Sequence, residues 1–373
     1  MRITVLAIPP VVVLIHRDLG LSETGVGVLT ALPTLLFAAA AVGGAWLTSK
    51  LGARRAVIAG LAVVAVAGAL RGVGPSLAML FGMTFAMGVG ISLVQPAFPV
   101  LVRLWAPARI GLATAIYSIG LLIGEGVPPT VTGPLLLPRL GGWQQTLAVW
   151  SIPVAAGALL IALFAPAASG EPIAAPRWWP DWRSSRTWRL GLMLGGDSAL
   201  YWSCNSFIPD LLQHTGRAGL VTPALIALNV GQIPAGLVIA TLPEGLLSRR
   251  AAYWLPGLLL AAGVVALVFS PGLGPVVVAA GIGFLSAWIF VLALALPPLL
   301  AEAADVSRMA AAMFTITYVC SFCAALLGGA AWDTTHTPAL AFLPGLVATG
   351  LVAFMAAGLR LPAQARTEPV PPV

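Results

Sequence analysis

Glu125 and Asp197 fall inside long apolar stretches of this 373-residue chain, and Arg2 joins them as a third membrane-embedded charge once an internal repeat is applied. On insertion scales such a side chain costs about 2.5–3.5 kcal/mol at the centre of a bilayer, so three of them together ask for a reason. One reading is chemical. Glu125 and Asp197 exchange protons, and Arg2 either neutralises an acid or receives an anionic substrate. The other reading is structural: an ion pair or a hydrogen-bonded acid that only holds helices together.

Uncharged polar and aromatic residues accompany them at helical spacing. Tyr117, Leu121 and Glu125 share one helix face, as do Asp197, Tyr201 and Asn205. Gln95 follows Ser92 by three residues just before Pro96, and Gln232 follows Asn229 by three just before Pro234, so each pair lies on one face beside a kink. Trp202 and Trp288 lie too deep for an interfacial belt and suit either a cavity wall or core packing. With Tyr318, the candidate substrate-binding set is Arg2, Gln95, Tyr117, Tyr201, Trp202, Asn205, Asn229, Gln232, Trp288 and Tyr318. Each amide in it is as suited to joining helices as to touching a ligand.

Other chemistries find little support. Cys320 and Cys323 form a C-x-x-C with no second pair or nearby His to complete a tetrahedral metal site, and Cys204 stands apart. His16, His214 and His336 fall at outer loops without ligand-spaced partners. No phosphate-cradling glycine motif occurs in a strand-to-helix setting, so no nucleotide is expected to power the protein. We expect no cofactor, no metal and no enzymatic activity.

The elements that position these residues follow from hydropathy. With 59% hydrophobic and 8% charged residues, the composition is that of a polytopic membrane protein. A spanning helix needs about 20 apolar residues, which predicts helices near 24–47, 55–73, 77–103, 109–136, 144–166, 187–212, 218–242, 250–270, 275–301, 307–332 and 338–360. Residues 3–15 are apolar but too short to cross, and Pro9 and Pro10 interrupt them. Pro10 and Pro209, Pro99 and Pro298, and Arg109 and Arg308 are each 199 residues apart, which suggests two six-helix halves. That repeat pairs Arg2 with Tyr201, which puts Arg2 near mid-membrane. It also predicts a first helix truncated at its N-terminus, lacking about twelve residues. The expected organisation is a bundle over 1–166, a Pro- and Trp-rich linker over 167–186, a second bundle over 187–361 and a flexible tail over 362–373.

Charge patterning orients the chain. The net charge is +7, yet the basic residues are dispersed over loops rather than gathered in one patch, which argues against nucleic acid as a partner. Fourteen Lys and Arg residues occupy every second gap between apolar runs: Lys50, Arg54, Arg55, Arg103, Arg109, Arg177, Arg183, Arg186, Arg189, Arg249, Arg250, Arg308, Arg360 and Arg366. The other gaps hold Arg17, Arg71, Arg139 and Arg217. By the positive-inside rule the first set, and both termini, are cytoplasmic. Glu302 and Asp305 occupy a loop whose counterpart carries Arg103 and Arg109. A cytoplasmic gate is therefore expected in which these acids meet Lys50, Arg54, Arg55, Arg103 or Arg109 of the other half, with Arg308 alongside. Helices three, six, nine and twelve are nearly free of polar residues. Eight helices are thus expected to enclose a polar cavity, with four packed outside them.

Some segments resemble known sequences. Residues 43–55, GGAWLTSKLGARR, resemble the G-x-L-A-D-R-x-G-R-R loop of the major facilitator superfamily: Leu47, Lys50, Gly52 and Arg55 match, while Ser49 replaces the aspartate and Ala45 the first glycine. Gly111, Gly120 and Gly124 resemble the start of that superfamily's antiporter motif in helix five, which Glu125, Pro128 and Pro129 then break. RITVLAIPPVVVLIHRDLGLSETGVGVLTALP, GLATAIYSIGLLIG and GGWQQTLAVW are similar to the cyanate and nitroimidazole permease branch, in which an arginine precedes a proline by eight residues, as Arg2 precedes Pro10. The resemblance implies an all-α transmembrane, twelve-helix fold of two pseudo-symmetric bundles, with the helix-one arginine in its cavity. It also implies a monomeric secondary transporter in a bacterial cytoplasmic membrane. Such a protein moves a cyanate-like anion or a small heteroaromatic by alternating access. Proton coupling is expected from Glu125 or Asp197, which the branch does not supply as standard features; drug efflux is the runner-up, ahead of a non-transporting receptor or a membrane-embedded enzyme.

Overall fold

Helices follow one another without a strand among the described residues of the computed structural model, which are 1–20, 23–74, 76–166, 177–242, 245–246 and 249–358. The expected tail, residues 167–176 of the linker, Arg360 and Arg366 lie outside them. The first span is broken. α1 (Arg2–Val5) stops at a 3-10 turn over Pro9–Val11, where two consecutive prolines withdraw backbone donors, and α2 (Val12–Leu19) resumes the path. α3 (Glu23–Leu51) and α4 (Ala53–Leu70) are the second and third spans, reversed at Gly52, whose positive φ of 78° suits glycine. The fourth is α5 (Leu77–Val94) and α6 (Ala97–Trp105), interrupted at Gln95–Pro96.

The fifth span, α7 (Ile110–Val131), loosens after Pro128 and Pro129 into a π turn over Thr132–Leu136 before α8 (Leu137–Leu140). The sixth is α9 (Trp143–Val149) with α10 (Ile152–Phe164). The seventh, α11 (Ser185–His214), is 30 residues long, about 45 Å at 1.5 Å per residue. The eighth is α12 (Val221–Val230) and α13 (Gln232–Thr241), and the rest are α14 (Ala251–Phe269), α15 (Gly274–Leu300), α16 (Val306–Thr335) and α17 (Leu343–Ala357).

Ten of these segments are long and apolar enough to cross a membrane; the broken first span and α11 are outside that set. Eleven full spans were expected. α11 differs because Arg186, Arg189, Asp197 and Asp210 dilute its hydropathy. Its middle is nevertheless buried from Leu190 to Leu200, Leu192 apart, against α16 and α17. It is a polar helix enclosed by apolar ones.

Large apolar side chains point outward from the helices that sequence marks as peripheral. Val66 on α4, Leu163 and Phe164 on α10, Phe269 on α14, and Val347 and Phe354 on α17 are all exposed, an inversion suited to lipid. Inner helices approach closely instead. A Cβ on Gly283 of α15 would lie 2.0 Å from the Leu228 carbonyl oxygen, and one on Gly231 would lie 2.5 Å from that of Ala280. Glycine lets α12 and α15 pack backbone to backbone.

The first six spans meet the last six along α3 with α16 and along α7 with α13 and α15, while α6 touches α15 and α16. Thr315 donates to the Ala38 carbonyl at 3.1 Å across the first of these seams. α12, the half of the eighth span away from the arginine-rich end, packs on α15 and α11, whereas α13 packs on α7. The two groups of helices therefore close on each other towards the end that carries Arg103 and Arg308.

Candidate functional site

Arg2, at the start of the broken first span, reaches the centre of the molecule. Its Nη1 lies 2.8 Å from Glu125 Oε1 of α7, with the two side chains 9% and 15% exposed. Its Nη2 donates to the Tyr318 hydroxyl of α16 at 2.7 Å, and that hydroxyl donates to Gln95 Oε1 at 2.9 Å. One chain of polar contacts thus runs Glu125, Arg2, Tyr318, Gln95 and joins four spans, one of them from the last six. The guanidinium also sits 5.3 Å from the Phe37 ring centroid, a cation–π distance. Its Nε is buried and has no hydrogen-bond partner.

A second cluster lies opposite, on α11 to α13. The Tyr201 hydroxyl donates to Asn229 Oδ1 at 2.6 Å and accepts from Gln232 Nε2 at 2.9 Å. Asn229 Nδ2 donates to Asn205 Oδ1 at 3.1 Å, and Asn205 Nδ2 donates to the Tyr201 carbonyl at 3.0 Å. Asp197 stands one turn from Tyr201, 1% exposed, beside Ser286 of α15, and its Oδ1 has no hydrogen-bond partner. A buried carboxylate oxygen without a donor is costly as an anion unless water or a proton reaches it.

Between the clusters is a cavity of about 430 Å³ whose walls include Arg2, Glu125, Asp197, Tyr201, Trp202, Gln232, Ser286 and Tyr318. A second chamber, about 630 Å³ with its opening to solvent included, adjoins it on the side of α1 and α3 and shares Arg2, Glu125 and Trp202. The two acids and the arginine singled out by sequence therefore line one space.

Other expected site residues are elsewhere. Trp288 turns its indole Nε1 to the Ala252 carbonyl of α14 at 3.0 Å, away from both chambers. Tyr117 stacks on Phe98 of α6 at 5.5 Å between ring centroids. Asn205, Asn229 and Gln95 stand behind the walls and hold Tyr201 and Tyr318. Phe37, Leu122, Ser198, Ser286 and Phe290 are not singled out by the sequence: the three apolar ones do not differ in type from their surroundings, while the hydroxyls of Ser198 and Ser286 are the weak signal that could have found them. Arg71, which the charge pattern places in an outer gap, is fully buried, and its Nη2 donates to the Thr4 carbonyl at the broken first helix, 2.7 Å away.

The arginine-rich end also departs from expectation. Asp305 is held by Arg308 of its own helix at 2.6 Å, and Glu302 is exposed without an ion pair among the described residues. No acid of this pair meets Lys50, Arg54, Arg55 or Arg109. The contact between the two groups of helices comes instead from Arg103, whose Nη1 donates to the carbonyls of Pro298, at 2.9 Å, and Ala301. Within the last six spans, Arg186 of α11 donates to the Leu300 carbonyl at 3.0 Å. Arg54 binds the Ala162 carbonyl at the end of α10, and Arg189 and Arg250 bind those of Gly358 and Ala357 at the end of α17. Arginines here satisfy the carbonyls that helix C-termini leave unpaired and sit at the negative end of the helix dipole.

Comparison with known proteins agrees with this arrangement. Residues 2–329 match the family model described as Major Facilitator Superfamily. The chain is 27% identical over 248 residues to the cyanate transport protein CynX of Escherichia coli, covering 64% of this chain and 62% of that protein. It is 26% identical over 292 residues to the 2-nitroimidazole transporter of Escherichia coli, covering 73% and 70%. With CynX the match thus spans less than two thirds of the relative's length. The crystal structure of the human organic anion transporter MFSD10 superposes with a TM-score of 0.76 at 15% identity, over 95% of this chain and 96% of that one. The proton:xylose symporter XylE gives 0.72 at 13% identity, over 95% and 91%. The twelve-helix architecture and the family match agree: the chain belongs to the Major Facilitator Superfamily.

Proposed function

We propose that the protein is a secondary transporter that moves a small anion across a bacterial cytoplasmic membrane by alternating access between residues 1–166 and 187–361, coupled to protons. The observation that carries this reading is the Arg2–Glu125 ion pair in the central cavity. An arginine there serves an anionic substrate, and the carboxylate beside it keeps the empty site close to neutral. An anion that reaches Arg2 competes with Glu125. The displaced carboxylate, left without its cation in a poorly hydrated site, takes a proton. Substrate and proton are then bound together, as symport requires. Asp197, without a donor on Oδ1, is a second proton acceptor on the opposite wall.

In this reading the arginine-rich end is cytoplasmic, as the positive-inside rule asks. Arg103 on the end of α15 is the closed cytoplasmic gate, and the state is outward-facing. The relatives named for cyanate and 2-nitroimidazole transport lend the substrate range: a small anion or a small heteroaromatic. A monomer is sufficient, since both clusters belong to one chain. The test is exchange in proteoliposomes preloaded with unlabelled cyanate or nitrate, followed by entry of the labelled anion. Entry that depends on Arg2 supports the proposal; an equal rate for wild type and Arg2→Gln refutes it.

A further inference from the structure

The second chamber deepens that anion reading, on which this inference rests. Among the described residues, Glu125 is the one acid on its walls, and Arg2 is the one cation. The remaining surface is mostly apolar: Val5, Leu6 and Ile8 from the broken first span, and Leu29, Pro33 and Phe37 from α3. The Phe37 ring lies 5.2 Å from that of Tyr318, so an aromatic wall borders the guanidinium. A three-atom anion on Arg2 would reach few of these side chains and would leave the others facing water. The buried Nε–H of Arg2 is an unused donor at the same junction.

We infer that the site takes a monoanion with a flat apolar body, an aromatic carboxylate being the type, with its carboxylate on Arg2 and its ring between α1 and α3. The polar cavity on the other side of Arg2 leads to Asp197 and Tyr201. The broken first span makes this chamber, because the 3-10 turn at Pro9–Val11 sets α1 apart from α2 and turns Val5, Leu6 and Ile8 towards α3. Recognition is then divided between charge at Arg2 and shape along α3. Inorganic anions share only the first.

The experiment is equilibrium binding of benzoate, acetate, nitrate and cyanate to the purified full chain in detergent, by isothermal titration. Benzoate is expected to bind roughly 30-fold more tightly than acetate, equal to about 2 kcal/mol from burial of the ring. Leu6→Trp, which fills the chamber, is expected to bring that ratio near one; where its elution profile shows misfolding, Leu29→Phe serves in its place. Arg2→Gln is expected to weaken both carboxylates. Equal affinities for benzoate and acetate in wild type, or a benzoate preference that survives filling the chamber, overturn the inference and leave anion transport standing. Wild-type protein that binds none of the four anions overturns both.

Discussion

Replacing Glu125 with Gln separates the electrostatics of the central pair from its packing. The two side chains are nearly isosteric, so the substitution removes a charge that lies 2.8 Å from Arg2 Nη1 and changes little else. With charge centres about 4 Å apart and an effective dielectric near 20, the attraction is about 4 kcal/mol. A neutral amide retains a hydrogen bond of about 1 kcal/mol, so an incoming anion has about 3 kcal/mol less competition for Arg2. Anion affinity is expected to rise by about 150-fold. The empty variant is expected to lose about 3–5 kcal/mol of stability, because an unpaired guanidinium remains in a buried site. Anion at 100 times its dissociation constant restores about 2.7 kcal/mol of this. Thermal unfolding in detergent with and without nitrate, together with isothermal titration, measures both effects. A folded variant with unchanged stability and unchanged anion affinity would refute the claim that Glu125 is the internal competitor for Arg2.

Arg103→Ala removes the side-chain bonds that tie α6 to the end of α15; charged hydrogen bonds of this kind are worth about 1.5–3 kcal/mol each. Distances between spin labels at positions 50 and 302 should broaden towards an opened arginine-rich end, and an unchanged distribution would show that Arg103 is not the gate. Trp288→Phe should leave anion affinity within about twofold while losing the bond to the Ala252 carbonyl, worth about 1 kcal/mol; a tenfold loss of affinity would put Trp288 back in the site. Gly283→Val should destabilise by at least about 2 kcal/mol, since even a Cβ meets the Leu228 carbonyl oxygen at 2.0 Å. Thermal unfolding checks it, and wild-type stability would mean that α12 and α15 separate at little cost.

Much of this site can be read from sequence because charge inside an apolar run is conspicuous. Glu125 and Asp197 stand out for that reason and Arg2 through its repeat partner Tyr201, and all three line the same cavity. The near absence of polar residues from the third, sixth, ninth and twelfth spans likewise anticipates the outward-facing Phe and Leu side chains of α10, α14 and α17. Direction around a helix is harder. Trp288 and Tyr117 are deep and aromatic, as a cavity wall would be, but composition does not fix the rotation that turns one to α14 and the other to α6.

Backbone acceptors are invisible in a sequence, so charge complementarity suggested that Arg103 would meet Glu302, whereas the chain offers it the helix-end carbonyls of Pro298 and Ala301. Arg71 sits at the end of an apolar run and looks like a loop residue until the break in the first span brings the Thr4 carbonyl to it. The apolar chamber has no sequence signal, because Leu29, Pro33 and Phe37 differ from their neighbours only in what they face.

The central claim is that an anion displaces Glu125 from Arg2 and that a proton accompanies it. Its most direct test is accumulation of labelled anion in proteoliposomes under an imposed pH gradient, acid outside, for wild type, Arg2→Gln, Glu125→Gln and Asp197→Asn. The account predicts gradient-driven accumulation in wild type and none in Arg2→Gln. It predicts retained exchange without accumulation when the coupling acid is neutralised. Full accumulation in both acid variants, or gradient-driven uptake that persists in Arg2→Gln, would contradict it.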